Sequence, residues 1–279
     1  MEIHNPIDQQ KKLNIIAIAD PSEYGKSALC YGKVLAMVFR ASLTVVTNFG
    51  FSLEDKNTKQ DLLTKENVGT LEGGEMMVHN DYFFPERLYR LAEETNTIMF
   101  VIGVDNKEKT AFFNRRKAVR FIKPSRLPVM TVGKTLPVEN AFQQVILPVD
   151  IERQAKEKAL WAGYFSRFYQ ATIHILYPKY KDSGLHKQVS DNIAFVEKLY
   201  KNLDITYEIN EVEPPKGLDA FSIGYAPQVQ ASLTVVMMTR YRTIADLLAG
   251  PREQKLIGNL QDFPVLCINQ RDDLYVLCT

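Results

Sequence analysis

The chain alternates short unbroken apolar runs with longer amphipathic stretches, and the order of these runs repeats. Asn14-Ile-Ile-Ala-Ile-Ala-Asp20 and Gln144-Val-Ile-Leu-Pro-Val-Asp150 are apolar runs that end in aspartate. A run this short, with no polar alternation, predicts a strand buried on both faces. After Asp20 comes a polar turn, then Ala28/Leu29, Gly32, Leu35/Ala36 and Phe39 recur at spacings of three and four. That periodicity predicts a helix with one apolar face. After Asp150 a polar turn again precedes a helical pattern, with Trp161, Phe165 and Phe168 on one face. A second strand follows each helix, from Ala41 to Val46 and from Ala171 to Leu176, and the interval from aspartate to that alanine is 21 residues in both halves.

The two halves also end alike. Thr97 to Gly103 and Leu233 to Met238 read as buried strands, each followed by a basic, helix-compatible stretch. Each half closes on proline and a short apolar strand, Pro128 to Val132 and Pro264 to Ile268. Proline suits the first position of a strand because it cannot donate to the ladder. The middles differ. Helices are expected near Leu185–Leu203 and Leu218–Val229, around a strand from Ile205 to Val212. In the first half a strand is expected near Met76–His79 and a helix near Pro85–Thr95, after a polar, poorly periodic segment at 52–69.

Strand and helix alternating in this way predict an α/β chain: two tandem doubly wound, Rossmann-like domains, internally repeated, each with a five-stranded parallel sheet. The expected bounds are 1–135 and 142–279, with a short linker at 133–141. A chain of 279 residues accommodates two such units, each long enough to bury a core. The closing strands would lie at sheet edges, which are liabilities unless paired. The halves are therefore expected to pair as an internal pseudo-dimer through 129–132 and 265–268, with a homodimer as a further option.

Net charge is +1, so no global field favours nucleic acid or an anionic membrane as a partner. The apolar runs are too short to span a bilayer. Met1 to Lys12 is polar and predicts no signal peptide. With three cysteines, Cys30, Cys267 and Cys278, in no metal-like spacing, a cytoplasmic protein with reduced thiols is expected. Cys30 and Cys267 read as core packing.

The ordered set resembles the universal stress protein family in its tandem, two-domain form. It comprises strands ending at Asp20 and Asp150, the Ser-Glu-Tyr turn at 22–24, the helix followed by an Ala-x-Leu/Ile strand, and the closing helix and Pro-Val strand. The resemblance implies a stress-response or signalling module. It also implies a nucleotide site where glycines let the backbone approach phosphates and a Gly-Ser/Thr opens the last helix. The aspartate would lie by the base. This chain keeps Gly103 but has Asn106 at the second glycine position and Arg115-Arg116 at the Gly-Ser positions. In the second half Met238, Tyr241, Pro251 and Arg252 stand at the corresponding places, with Gly250 one residue away.

A degenerate motif of this kind predicts a non-catalytic module with no cofactor and no ATP bound in the family manner. The alternative is an ATP or AMP binder that uses an altered first-half site made of Asp20, Gly103, Asn106, Arg115 and Arg116, with Asp150 a vestigial counterpart. In that reading guanidinium forks replace backbone recognition of the phosphates. A receiver-like phosphoacceptor, with Asp20 at a strand end and Lys134 past the last strand, is a third reading. The opposing expectations are structural: Asp20 and Asp150 as turn or helix caps, and Arg115, Arg116, Lys117 and Arg120 as a solvated or partner-facing surface. His4, His79, His174 and His186 suggest neither a metal pair nor a catalytic dyad. Tyr82-Phe83-Phe84 reads as core or interface.

Overall fold

The structure is a computed structural model that describes residues 12–47, 76–80, 85–105, 111–138, 141–152, 155–214, 217–238, 257 and 264–269. The expectations for 52–69 and 82–84, and those for Asn106, Tyr241, Gly250, Pro251, Arg252 and Cys278, lie outside these residues.

The first half runs β1 (Asn14–Ala19), α1 (Glu23–Val38), β2 (Ser42–Thr47), β3 (Met76–Asn80), α2 (Pro85–Glu94), β4 (Thr97–Asp105), the two-residue β5 (Phe113–Asn114), α3 (Arg115–Ile122) and β6 (Val129–Val132). The second runs β7 (Gln144–Pro148), α4 (Ala155–Tyr169), β8 (Thr172–Pro178), α5 (Ser183–Asn202), β9 (Tyr207–Val212), α6 (Leu218–Tyr225), β10 (Leu233–Met238) and β11 (Val265–Asn269). The strands form one sheet in the order β3-β2-β1-β4-β6-β11-β10-β7-β8-β9, with β5 attached to β4. Neighbours are parallel throughout except at β6 and β11, which are antiparallel, with Val265 opposite Thr131, Leu266 opposite Met130 and Cys267 opposite Val129. Thr131 Oγ1 donates to the Val265 carbonyl at 3.2 Å across this seam.

All six residues of β1, of β2 and of β10 are buried, as runs without alternation require of strands covered on both faces. Alternate residues separate into two large cores, with a smaller third cluster of Ile146, Leu176, Leu218 and Ala226. Ile15, Ala17, Met130, Val145, Val235 and Leu266 share one face; Ile16, Phe100, Val129, Val236, Val265 and Cys267 share the other. Both cores cross from one half into the other. The repeat is visible in the backbone as well. Arg40 and Gln170, each 20 residues past its aspartate, both take left-handed φ, at 50° and 53°, where helix turns into the second strand.

On the first face α1 and α4 meet through aromatic rings. Phe142, just past the linker, lies 5.9 Å from Tyr31, 5.2 Å from Phe165 and 5.1 Å from Tyr169, centroid to centroid. Phe39, at the C-cap of α1, contacts Phe165 edge-on at 5.9 Å, and the Tyr169 hydroxyl donates to the Val34 carbonyl at 3.3 Å. Two expectations need correction here. The α4 face of Trp161, Phe165 and Phe168 is divided: Phe165 is fully buried, whereas Phe168 is 43% exposed and Trp161 half-buried. The helix turns its small residues Ala159 and Ala162 to the sheet instead, because α1 already occupies the space beyond. Cys30 is half-exposed rather than core, since Leu29 and Tyr31 take the inward positions. Cys267 is buried, and burial pushes its thiol up to about 12.

Truncating Phe142 to alanine removes the ring on which both halves pack. A loss of about 3–5 kcal/mol in urea unfolding is expected, in one transition seen alike by far-UV circular dichroism and Trp161 fluorescence.

Candidate functional site

In doubly wound sheets ligands bind beyond the carboxyl ends of the strands, where successive connections leave in opposite directions. Here that point lies between β1 and β4, and between β7 and β10 in the second half. Asp20 follows β1 directly and Asp150 follows β7 by two residues.

Both carboxylate oxygens of Asp20 are engaged. Oδ1 accepts the Ser22 N–H at 2.8 Å, and Oδ2 accepts the Phe112 N–H at 2.8 Å from 92 residues away. Ser22 in turn caps α1, its Oγ accepting from Gly25 N–H at 3.2 Å. The first turn of α1 therefore sits hard against the strand ends. A Cβ on Gly25 would lie 2.1 Å from the Asp20 carbonyl oxygen, and one on Gly103 would lie 2.1 Å from that of Tyr24. Contact with backbone this close admits only glycine, so Gly103 is accounted for by helix packing without any ligand.

A second carboxylate lies beside the first. Asp105 ends β4, is 2% exposed, and its Oδ2 accepts the Ala111 N–H at 3.4 Å. β5 pairs with the end of β4, Val104 with Phe113 and Asp105 with Asn114. Residues 111–114 thus form a strap across the strand ends, and its consecutive N–H groups at Ala111 and Phe112 meet Asp105 and Asp20. Asn114 then caps α3, accepting from Lys117 N–H at 3.0 Å. Arg115 and Arg116 open α3, the first half-buried and the second exposed. Lys117 Nζ lies 4.7 Å above the Phe112 ring. Asp20 and Gly103 are brought together at the N-terminus of α1, and the two arginines follow the strap. Asp105 and the strap were missed in the sequence, although the apolar run of β4 ends in aspartate as β1 does.

In the second half Asp150 Oδ1 accepts the Tyr180 hydroxyl at 2.6 Å and the Ile151 N–H at 2.7 Å. Burial, then the hydrogen bond and charge of Asp150, push the Tyr180 phenol up to about 12. Asn192 Nδ2 donates to the Asp150 carbonyl at 2.7 Å, and Lys158 Nζ, on a residue 6% exposed, donates to that of Pro148 at 2.7 Å. Met238 is buried in the core at the end of β10.

His174 has more structure around it than the sequence indicated. Its Nε2 lies 2.6 Å from Gln144 Oε1, and its Nδ1 lies 3.2 Å from Glu208 Oε2 without the alignment of a hydrogen bond. Burial disfavours the imidazolium and pulls its pKa below the ordinary value, against the opposing charge of Glu208. Among the described residues no three metal-ligating side chains cluster, and no helix is long and apolar enough to cross a membrane.

Compared by sequence, the chain matches no protein-family model and no curated protein. Compared by structure, it is similar over most of its length to universal stress proteins. One from Archaeoglobus fulgidus has a TM-score of 0.69 at 12% identity, covering 92% of this chain and 98% of that one. A putative universal stress protein from Pseudomonas aeruginosa has a TM-score of 0.64 at 14% identity, covering 95% of both chains. The cytoplasmic domain of a prokaryotic cation chloride cotransporter has a TM-score of 0.53 at 12% identity, covering 95% of this chain and 98% of that one. The fold is that of the universal stress proteins.

Two outcomes test these assignments. Asp20→Asn replaces an acceptor with an amide donor facing a backbone N–H, with an expected cost of about 1–3 kcal/mol in unfolding and faster hydrogen exchange at the Phe112 amide. The second concerns pH. His174 binds its proton more weakly folded than unfolded, so the unfolded chain gains protons first as pH falls. Its contribution is intact above the unfolded pKa of about 6.5 and is lost as pH drops below it toward the folded value. His174→Gln should flatten the fall in melting temperature between neutral and mildly acidic pH.

Proposed function

We propose that this chain, with its universal stress protein fold, works as a non-catalytic stress-response or signalling module and does not hold ATP in the manner implied by the family resemblance. The observation that carries this reading is the occupancy of Asp20, whose two oxygens are taken by the N–H groups of Ser22 and Phe112. A nucleotide base approaching this carboxylate would meet the 111–114 strap, whose Phe112 N–H already binds Oδ2 beside the buried Asp105. The arrangement at Asp150 supports the same reading in the second half, where Tyr180 and Ile151 fill the equivalent role.

The module is an internal pseudo-dimer in this proposal, a reading supported by the antiparallel contact of β6 and β11. It acts by presenting surface to a protein partner rather than by turning over substrate. The exposed Arg116, Lys117 and Arg120 of α3, a helix with no acidic residue in its first turn, favour an acidic partner face. Calorimetric titration with ATP and with AMP checks the first half of the proposal. No saturable heat is expected at millimolar nucleotide. Saturable binding that disappears in Arg115→Ala would overturn it and establish the altered first-half site instead.

A further inference from the structure

Three polar side chains line up across the outer strands of the second half. Gln144 opens β7, His174 lies in β8 and Glu208 lies in β9. His174 stands opposite Ile146 on one side and Glu208 on the other. Gln144 is two residues before Ile146, so strand alternation puts all three side chains on one face of the sheet. Beside them on that face, Ile146 and Leu176 are covered by Leu218 and Ala226. His174 is 5% exposed and Gln144 half-buried, whereas the Glu208 side chain is 63% exposed on the outermost strand.

The imidazole is one proton short of what surrounds it. Its Nε2 lies 2.6 Å from Gln144 Oε1, and its Nδ1 lies 3.2 Å from Glu208 Oε2. An amide oxygen and a carboxylate both accept, and a neutral imidazole has a single N–H to give. The shorter contact takes it. Nδ1 is then left with a lone pair toward a carboxylate, buried and without a hydrogen-bond partner. A second proton turns both ring nitrogens into donors, and the bond to the carboxylate becomes charge-assisted.

The other groups near the ring do not compete for this role. Glu208 is the charge that acts on His174. Glu211 alternates to the opposite face of β9, where it acts on Tyr177. The titratable groups of α6 are Asp219, whose charge acts on Cys267, and Tyr225, which stacks on Phe221. Burial opposes the imidazolium and outweighs the pull of Glu208, which keeps proton uptake below the ordinary histidine range.

We infer that Gln144, His174 and Glu208 form a pH-sensitive switch at the edge of the sheet. At neutral pH the ring keeps its proton on Nε2, bonds Gln144, and leaves the Glu208 carboxylate in solvent. In mildly acidic solution Nδ1 takes a proton from water, and the Glu208 carboxylate closes onto it. The exposed side of β9 thereby loses one of the carboxylates that discourage strand pairing. This switch is separate from the site at Asp20 and does not depend on whether that site takes a nucleotide.

Side-chain NMR of the full chain, labelled at histidine and glutamate and read on the signals of the folded protein, tests the switch between about pH 8 and about pH 5. His174→Gln identifies the His174 signals by their loss. The Nε2–H tautomer is expected at neutral pH. The ring should titrate below about 6.5, and the Glu208 carboxyl signal should move at the same midpoint. Glu208→Gln, at an exposed position, should weaken proton binding by His174 about three- to tenfold, whereas Glu211→Gln should leave it unchanged. A neutral ring with its proton on Nδ1, a Glu208 signal that does not follow His174, or an unaltered midpoint in Glu208→Gln would overturn the inference.

Discussion

Everything else in the molecule depends on the antiparallel contact between β6 and β11. Each half builds a parallel sheet that would end in a bare strand, with a row of unpaired N–H and C=O groups. Setting the two ends against each other satisfies both rows and turns two sheets into one. The outer strand β9 at the far end is protected differently, by the exposed carboxylates Glu208 and Glu211 along its length. Because β6 and β11 run in opposite directions, the carboxyl ends of the two halves face opposite ways. The carboxyl ends of one half's strands are therefore neighbours of the amino ends of the other half's.

The helices lock what the strands join. Phe142 inserts between Tyr31, Phe165 and Tyr169, and these rings come from α1, α4 and the connection between the halves. A core drawn from both halves cannot lose one side without uncovering the other. This packing also explains why α4 leaves Trp161 and Phe168 at the surface. The interior positions belong to Ala159, Ala162 and Phe165, which leaves Phe168 exposed and Trp161 only partly covered.

At the carboxyl end of β1 the chain supplies the donors for its own carboxylates. Carboxylates at a strand end call for donors, and Asp20 and Asp105 receive them from Phe112 and Ala111. A backbone N–H that is already ordered binds without losing translational freedom, an advantage over any free ligand. The same logic operates with different residues at Asp150, where a tyrosine hydroxyl supplies the donor. Both halves thus hold the strand-end aspartate with donors from their own chain.

Much of the architecture was legible in the sequence because burial on both faces leaves an unmistakable mark. The runs at β1, β7, β4 and β10 lack polar alternation, and each lies within a residue or two of where the periodicity put it. The repeat was legible for the same reason, and the left-handed turns at Arg40 and Gln170 follow from it. The site was legible only as a set of positions. Asp20 and Gly103 could be named from their places in the pattern. Whether a carboxylate faces solvent or a backbone amide 92 residues away depends on a contact that has no local signature. The buried Oδ1 of Asn269 is likewise invisible in the sequence, since its amide is oriented by carbonyls more than 140 residues distant. Local pattern determined the elements and their order, because each strand and helix must bury its own apolar face. Which polar groups meet, and which remain unpaired, was decided only when distant segments packed together.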